Sequence, residues 1–138
     1  MGAREPCFLD TNIWLYAFEA ESAPEKTEIA QRVIREHRQI FVSSQVLNEI
    51  CVNLLRKFNA TERDIRALID SFYARYDVIP LDRTSLLSAS ELRSAYALSY
   101  WDSLIVASAL STGVATLFSE DMQNGLSIDG RLTIVSPF

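Results

Sequence analysis

Histidine, cysteine and basic charge are all scarce in this chain of 138 residues, and each scarcity removes a class of chemistry. His37 is the only histidine, which excludes histidine-dependent catalytic triads and multi-histidine zinc sites. Its position after Arg35 and Glu36 reads as a solvated helix end. The two cysteines, Cys7 and Cys51, lie in apolar runs with no Cys or His at a metal-ligand spacing, and read as buried reduced thiols. A net charge of −5 argues against non-specific nucleic-acid binding through a broad basic surface. It leaves room for a nucleic-acid substrate, because clustered carboxylates that bind divalent cations reverse the local field. No apolar run approaches the roughly 20 residues that span a bilayer, and no basic-then-apolar leader is present. The expectation is a soluble cytoplasmic protein with no membrane partner. Internal repeats, linkers and low-complexity segments are missing too.

What is present is an ordinary globular composition, 49% hydrophobic and 22% charged, expected to form one domain over residues 1–138. Strand-like runs at residues 6–9, 39–42, 77–81, 114–118 and 131–135 alternate with helical patterns. This alternation predicts an α/β fold with a central parallel sheet of about five strands and helices on both faces. Ile13, Trp14, Ala17 and Phe18 repeat at helical spacing, followed by a polar break over 19–24. The next helix, over 25–38, turns Ile29, Val33 and Ile34 inward and Arg32, Arg35 and Arg38 outward. Ser43 and Ser44 supply caps for a helix whose stripe is Leu47, Ile50, Cys51, Leu54 and Leu55. Thr61 opens a helix with Ile65, Leu68, Ile69 and Phe72 on its buried face, and Asp82 starts another that runs to about Ala97. The most apolar helix begins near Ser99 and ends at Gly113.

Four acids fall where such a sheet gathers ligands. Asp10 and Asp121 follow the ends of two strands, Glu49 lies in the helix after the second strand, and Asp102 begins the helix leading into the fourth. Each also has a structural reading. Asp10 suits a helix N-cap, and Glu49 a surface pair beside Gln45, Asn53 and Arg56. Ser99 and Asp102 fit an S-x-x-D capping box, and Asp121 fits a loop. If the first and fourth strands are neighbours across a central crossover, the four converge on one cleft. Carboxylates so placed repel one another, and a hard divalent cation such as Mg²⁺ or Mn²⁺ relieves the repulsion.

Asp10-Thr11-Asn12 after an apolar strand, Glu49, Trp101-Asp102-Ser103-Leu104-Ile105-Val106-Ala107 and Leu117-Phe118-Ser119-Glu120-Asp121 together resemble the PIN domain, closest to its VapC-type toxins. The resemblance covers nearly the whole chain and implies a PIN-like sheet order of 3-2-1-4-5. It implies a Mg²⁺- or Mn²⁺-dependent ribonuclease that cleaves RNA phosphodiester bonds by metal-activated water, the toxin of a type II toxin-antitoxin pair. Asp10, Glu49, Asp102 and Asp121 then match the acidic catalytic and metal-binding quartet. Ser119 matches a hydroxyl position two residues before the last acid, Asn12 is an orienting residue, and Glu120 is a possible substitute ligand for Asp121. A homodimer and a cognate antitoxin are implied as partners. Trp14, Tyr16, Phe72, Tyr73 and Tyr76 suit either an aromatic groove for a partner helix or the core.

Two rival enzymatic or signalling classes fit less well. A phosphoacceptor receiver domain could use Asp82, but it requires a lysine after the last strand, and the chain has none beyond Lys57. Haloacid-dehalogenase-type phosphatases need a second acid where Asn12 stands. A catalytically inactive PIN-like binding module remains as the alternative within the fold, at odds with four filled acidic positions.

Overall fold

Cys7-Phe8-Leu9 forms the strand on which the fold is built, β1 (Cys7–Leu9), with all three residues at most 1% exposed. A strand with no polar alternation is one covered on both faces, as in parallel sheets. The computed structural model describes residues 4–19 and 21–138. Met1, Gly2, Ala3 and Ala20 lie outside the described residues, so the start of the expected domain and part of the polar break at 19–24 are not assigned.

After β1 come α1 (Thr11–Phe18), α2 (Pro24–Glu36), β2 (Ile40–Ser43), α3 (Ser44–Lys57), α4 (Glu62–Arg75) and β3 (Asp77–Ile79). The chain continues through α5 (Arg83–Ala95), α6 (Tyr100–Thr112), β4 (Thr116–Phe118), β5 (Ser127–Ile128) and β6 (Leu132–Val135). The sheet has six strands in the order β3-β2-β1-β4-β6-β5. All neighbours pair in parallel except β5, which runs antiparallel to β6. The expected order is therefore correct for the five parallel strands, with β6 in the place foreseen for the fifth. The extra strand is a two-residue edge hairpin turned through Asp129 and Gly130, both at positive φ.

Helix α1 packs on α2 and α3, α3 on α4, and α5 on α6, giving two helical groups for the sheet. Residues 103–109 of α6 are all buried, as its all-round apolar sequence requires. Its last turn closes on Gly113 at φ +80°, a left-handed cap that glycine adopts without steric cost. Thr61 caps α4 and Asp82 caps α5, each with both bonds of a capping box.

Several local expectations need correction. Ser99 accepts from the Asp102 N–H at 3.1 Å, but the reciprocal bond from the Ser99 N–H to the Asp102 carboxylate is not made, so only half of that capping box exists. His37 is half-buried, not solvated, because its Nδ1 bonds the Val33 carbonyl oxygen at 2.7 Å and its ring packs on Phe118. On α2 the buried line is Thr27 and Ala30, with Ile29, Val33 and Ile34 only half-buried. Leu55 is exposed, and Val46 takes the buried place on α3. Cys7 is buried, which pushes its thiol up to about 12, and Cys51 is half-buried.

Candidate functional site

The backbone pairing of β1 continues one step past the strand, where the Asp10 N–H donates to the Phe118 carbonyl at 3.0 Å. That bond fixes Asp10 at the carboxyl end of the sheet, beside the chain leaving β4, where the strand order changes direction. Asp10 is 4% exposed and is the N-cap of α1. Its Oδ1 accepts the Thr11 N–H at 2.7 Å, and its Oδ2 accepts the Ser119 hydroxyl at 2.7 Å. Burial pushes the Asp10 carboxyl up to about 6. The Ser119 and Thr11 donors pull it back, and the negative charges of Glu49 and Asp102 push it further up.

The other acids arrive from distant parts of the chain. Glu49 projects from α3 and accepts the Thr11 hydroxyl at 2.6 Å. Asp102 lies in the first turn of α6, half-buried; burial raises its pKa, the Ser99 hydroxyl opposes the rise, and Asp121 adds to it. Asp121 is exposed and accepts from Asn12 Nδ2 at 3.0 Å. Ser119, fully buried, joins the loop to the strand end: it donates to Asp10 and accepts the Asp121 N–H at 3.2 Å. Asn12 spans the same gap, its Oδ1 accepting the Glu120 N–H at 3.1 Å.

These residues share one cleft of about 410 Å³, lined by Asp10, Glu49, Asp102 and Asp121 together with Thr11, Asn12 and apolar walls at Leu15, Val52 and Ile105. Among the described residues, no lysine, arginine or histidine lines it. Glu120 is not part of that lining. Its carboxylate takes the Tyr16 hydroxyl at 3.0 Å and Lys26 Nζ at 2.9 Å. Among the described residues, no three acidic, histidine or cysteine side chains stand close enough to enclose an ion by themselves. The donor set is thus an oxygen-only wall around an open cleft, suited to a hard cation that keeps most of its water and takes one or two carboxylates directly.

A larger cavity of about 630 Å³ between α5, α6 and the β5–β6 turn has carboxylates with structural partners. Asp82 there caps Ser85, and Asp129 accepts the Tyr96 hydroxyl and pairs with Arg131. The proposed phosphoacceptor position is thereby occupied by a capping role.

Thr11 is part of the Asp10-Thr11-Asn12 motif, but its bond to Glu49 and the place of Lys26 are not legible in the sequence. Nothing in the order of residues relates Thr11 to Glu49, 38 positions away, or Lys26 to Glu120, 94 positions away. The aromatic residues divide: Trp14 and Phe72 are core, Tyr76 is half-buried against them, and Tyr73 alone is 60% exposed.

An acid-lined crevice at the switch point of a parallel sheet marks the class of α/β domains that gather their polar groups beyond the carboxyl ends of the strands. Within that class the chain belongs to the PIN domain family, whose model matches residues 7–123. No curated protein sequence gives a significant match. Among solved structures, a toxin-antitoxin complex from Klebsiella pneumoniae superposes with a TM-score of 0.73 at 18% identity, over 96% of this chain and 98% of that one. VapC20 of Mycobacterium tuberculosis, described as a Sarcin-Ricin loop cleaving toxin, gives 0.68 at 20% identity, over 83% and 91% of the two chains. DNA-bound VapBC from Salmonella typhimurium gives 0.68 at 21% identity, over 98% and 100%. At these identities the likeness is one of fold.

Proposed function

We propose that this protein is a Mg²⁺- or Mn²⁺-dependent ribonuclease acting as the toxin of a toxin-antitoxin pair. The observation that carries the proposal is the shared cleft: four carboxylates from separate segments line it, and no cation offsets them. The toxin assignment draws on the family and on solved neighbours described as toxin-antitoxin complexes. A cognate antitoxin, a homodimer and an RNA substrate belong to the same proposal. Among the described residues no helix is long and apolar enough to cross a membrane.

Asp10, Glu49, Asp102 and Asp121 would hold the metal ion. Once bound, Mg²⁺ or Mn²⁺ supplies a water of lowered pKa, alignment for in-line attack on phosphorus, and stabilisation of charge on the leaving oxygen. The protein's part is to aim the acids. Ser119 and the Thr11 N–H hold both oxygens of Asp10, Thr11 Oγ1 holds Glu49, and Asn12 holds Asp121. An ionised carboxylate has about four lone-pair positions, so these bonds leave acceptor capacity for an ion. Leu15, Val52 and Ile105 give the cleft an apolar side. Cleavage of RNA by the purified protein should require Mg²⁺ or Mn²⁺ and stop in EDTA. Cleavage that continues in EDTA, with contaminating nuclease excluded, would count against the proposal.

Two further results follow. With metal at about a hundred times its Kd, binding stabilises the fold by about 2.7 kcal/mol, a Tm rise on the order of 5–10 °C. Asp102→Asn should lose much of that rise; equal rises in variant and wild type would reduce Asp102 to a helix-end residue. The ion pair of Glu120 with Lys26 favours Asp121 as the fourth ligand. Asp121→Asn should lower kcat/KM roughly 100-fold or more. Glu120→Gln, which disturbs only the support of the loop, should cost roughly tenfold. The reverse ranking in steady-state assays would reassign the fourth ligand to Glu120.

A further inference from the structure

A second cleft of about 340 Å³ adjoins the acidic one, and the two share Asn12, Leu15, Asn53 and Asp121 in their walls. Its far end is the C-terminus of α3, where Lys57 is exposed and Phe58 keeps 38% of its surface open. The acids along this second cleft already have donors. Glu19 takes the Ser22 hydroxyl and the backbone N–H groups of Glu21 and Ser22; Glu120 takes Tyr16 and Lys26; Asp121 takes Asn12. Lys57 is the one lysine or arginine that lines either cleft, and among the described residues it makes no ion pair.

From this continuity we infer that the end of α3 is a nucleotide subsite for the RNA chain passing through the acidic cleft, with Lys57 on a flanking phosphate and Phe58 stacked on its base. The inference rests on the ribonuclease reading of the adjoining cleft. A phosphodiester chain led past four carboxylates needs a cation where it leaves them, and Lys57 is placed there. An aromatic face beside that cation receives any base, since every base has a π-face, and only an unpaired nucleotide can offer one. The subsite therefore selects single-stranded RNA or a loop with a splayed base, and tolerates sequence at that position.

The test uses the full chain and a short fluorescein-labelled single-stranded oligoribonucleotide, followed by steady-state cleavage and by anisotropy. Base stacking on an aromatic side chain is worth about 1–3 kcal/mol, and 1.4 kcal/mol is a factor of ten. Phe58→Ala should thus raise KM about tenfold while changing kcat by less than about threefold. Phe58→Trp should keep KM near wild type, and Phe58→Leu, which preserves apolar bulk without an aromatic face, should behave like Phe58→Ala. Lys57→Gln should raise KM and flatten the log–log salt dependence of binding by about 0.7, the value for one phosphate contact on a single strand. An abasic nucleotide flanking the mapped cut should cancel the effect of Phe58→Ala. Cleavage with KM unchanged within about twofold in Phe58→Ala and Lys57→Gln overturns the subsite and leaves the ribonuclease standing. Wild-type binding without cleavage sinks the ribonuclease, and the same variants then support the subsite only by weakening that binding. Absence of RNA binding overturns both.

Discussion

Asp10→Asn is expected to remove metal-dependent RNA cleavage, by about a thousandfold or more, and at the same time to make the metal-free protein more stable at neutral pH. Both effects come from one carboxylate held at 4% exposure among other acids. Folding raises the Asp10 pKa from 3.8 to about 6, so between these values the folded state holds a proton that the unfolded state has released. Stability therefore falls as pH rises through that window. Below about pH 4 the penalty is absent, and above about pH 6 it is in full force. At 1.36 kcal/mol per pKa unit, the penalty is about 3 kcal/mol. Asparagine removes the charge and still accepts the Thr11 N–H through its oxygen, but the amide nitrogen in the place of Oδ2 cannot accept the Ser119 hydroxyl, a buried bond worth about 1 kcal/mol. A net gain of about 1–2 kcal/mol at pH 7.5 should shrink to nothing, or change sign, below pH 4. Urea unfolding in EDTA across this range measures it, beside cleavage assays with Mg²⁺ or Mn²⁺. Undiminished cleavage by the variant would end the catalytic assignment. A flat stability difference with pH would show that Asp10 ionises as freely in the folded chain as in the unfolded one.

Much of this architecture was legible because local pattern and tertiary demand agree. The uninterrupted apolar run of β1 signals a strand covered on both faces, and the all-apolar α6 signals a buried helix. Thr61 and Asp82 combine side chains and spacing that satisfy free N–H groups at a helix start, and both do so here. The meeting of the four acids in one cleft could be anticipated because strand ends and helix starts fall on the same edge of a parallel sheet. What escaped was set by long-range partners. The strand β5 is two residues long, too short to carry a period, and exists because it pairs with β6. Leu55 fits the apolar stripe of α3, yet it keeps 38% of its surface open, and spacing alone does not reveal which part of a stripe is covered. Glu120 and Asp121 are adjacent acids; Tyr16 and Lys26, brought in by α1 and α2, take up Glu120.

Trp14→Ala should be the most damaging substitution outside the acidic cleft, costing about 3–5 kcal/mol of stability. Trp14 is 1% exposed, with ring centroids 4.8 Å from Phe72 and 4.9 Å from Tyr76. Truncating a packed aromatic side chain removes its transfer free energy and leaves a cavity that the surroundings fill only in part. For a domain whose total stability is about 5–15 kcal/mol, that is a large fraction. The position also ties fold to site. Trp14 anchors α1 against α4, and the first turn of α1 carries Thr11 and Asn12, which hold Glu49 and Asp121. Trp14→Phe separates packing from polarity. It retains a ring against Phe72 and Tyr76 and deletes an indole N–H that is buried without a partner among the described residues, a group whose desolvation costs about 1–3 kcal/mol. That relief offsets much of the lost volume, so Trp14→Phe should lie within about 1.5 kcal/mol of wild type. In urea titrations, a loss below about 1.5 kcal/mol for Trp14→Ala would show that α1 is anchored elsewhere. If Trp14→Ala retains most of the fold at low temperature, its metal-induced rise in Tm should still be smaller than that of wild type, because the turn that aims the carboxylates has lost its anchor.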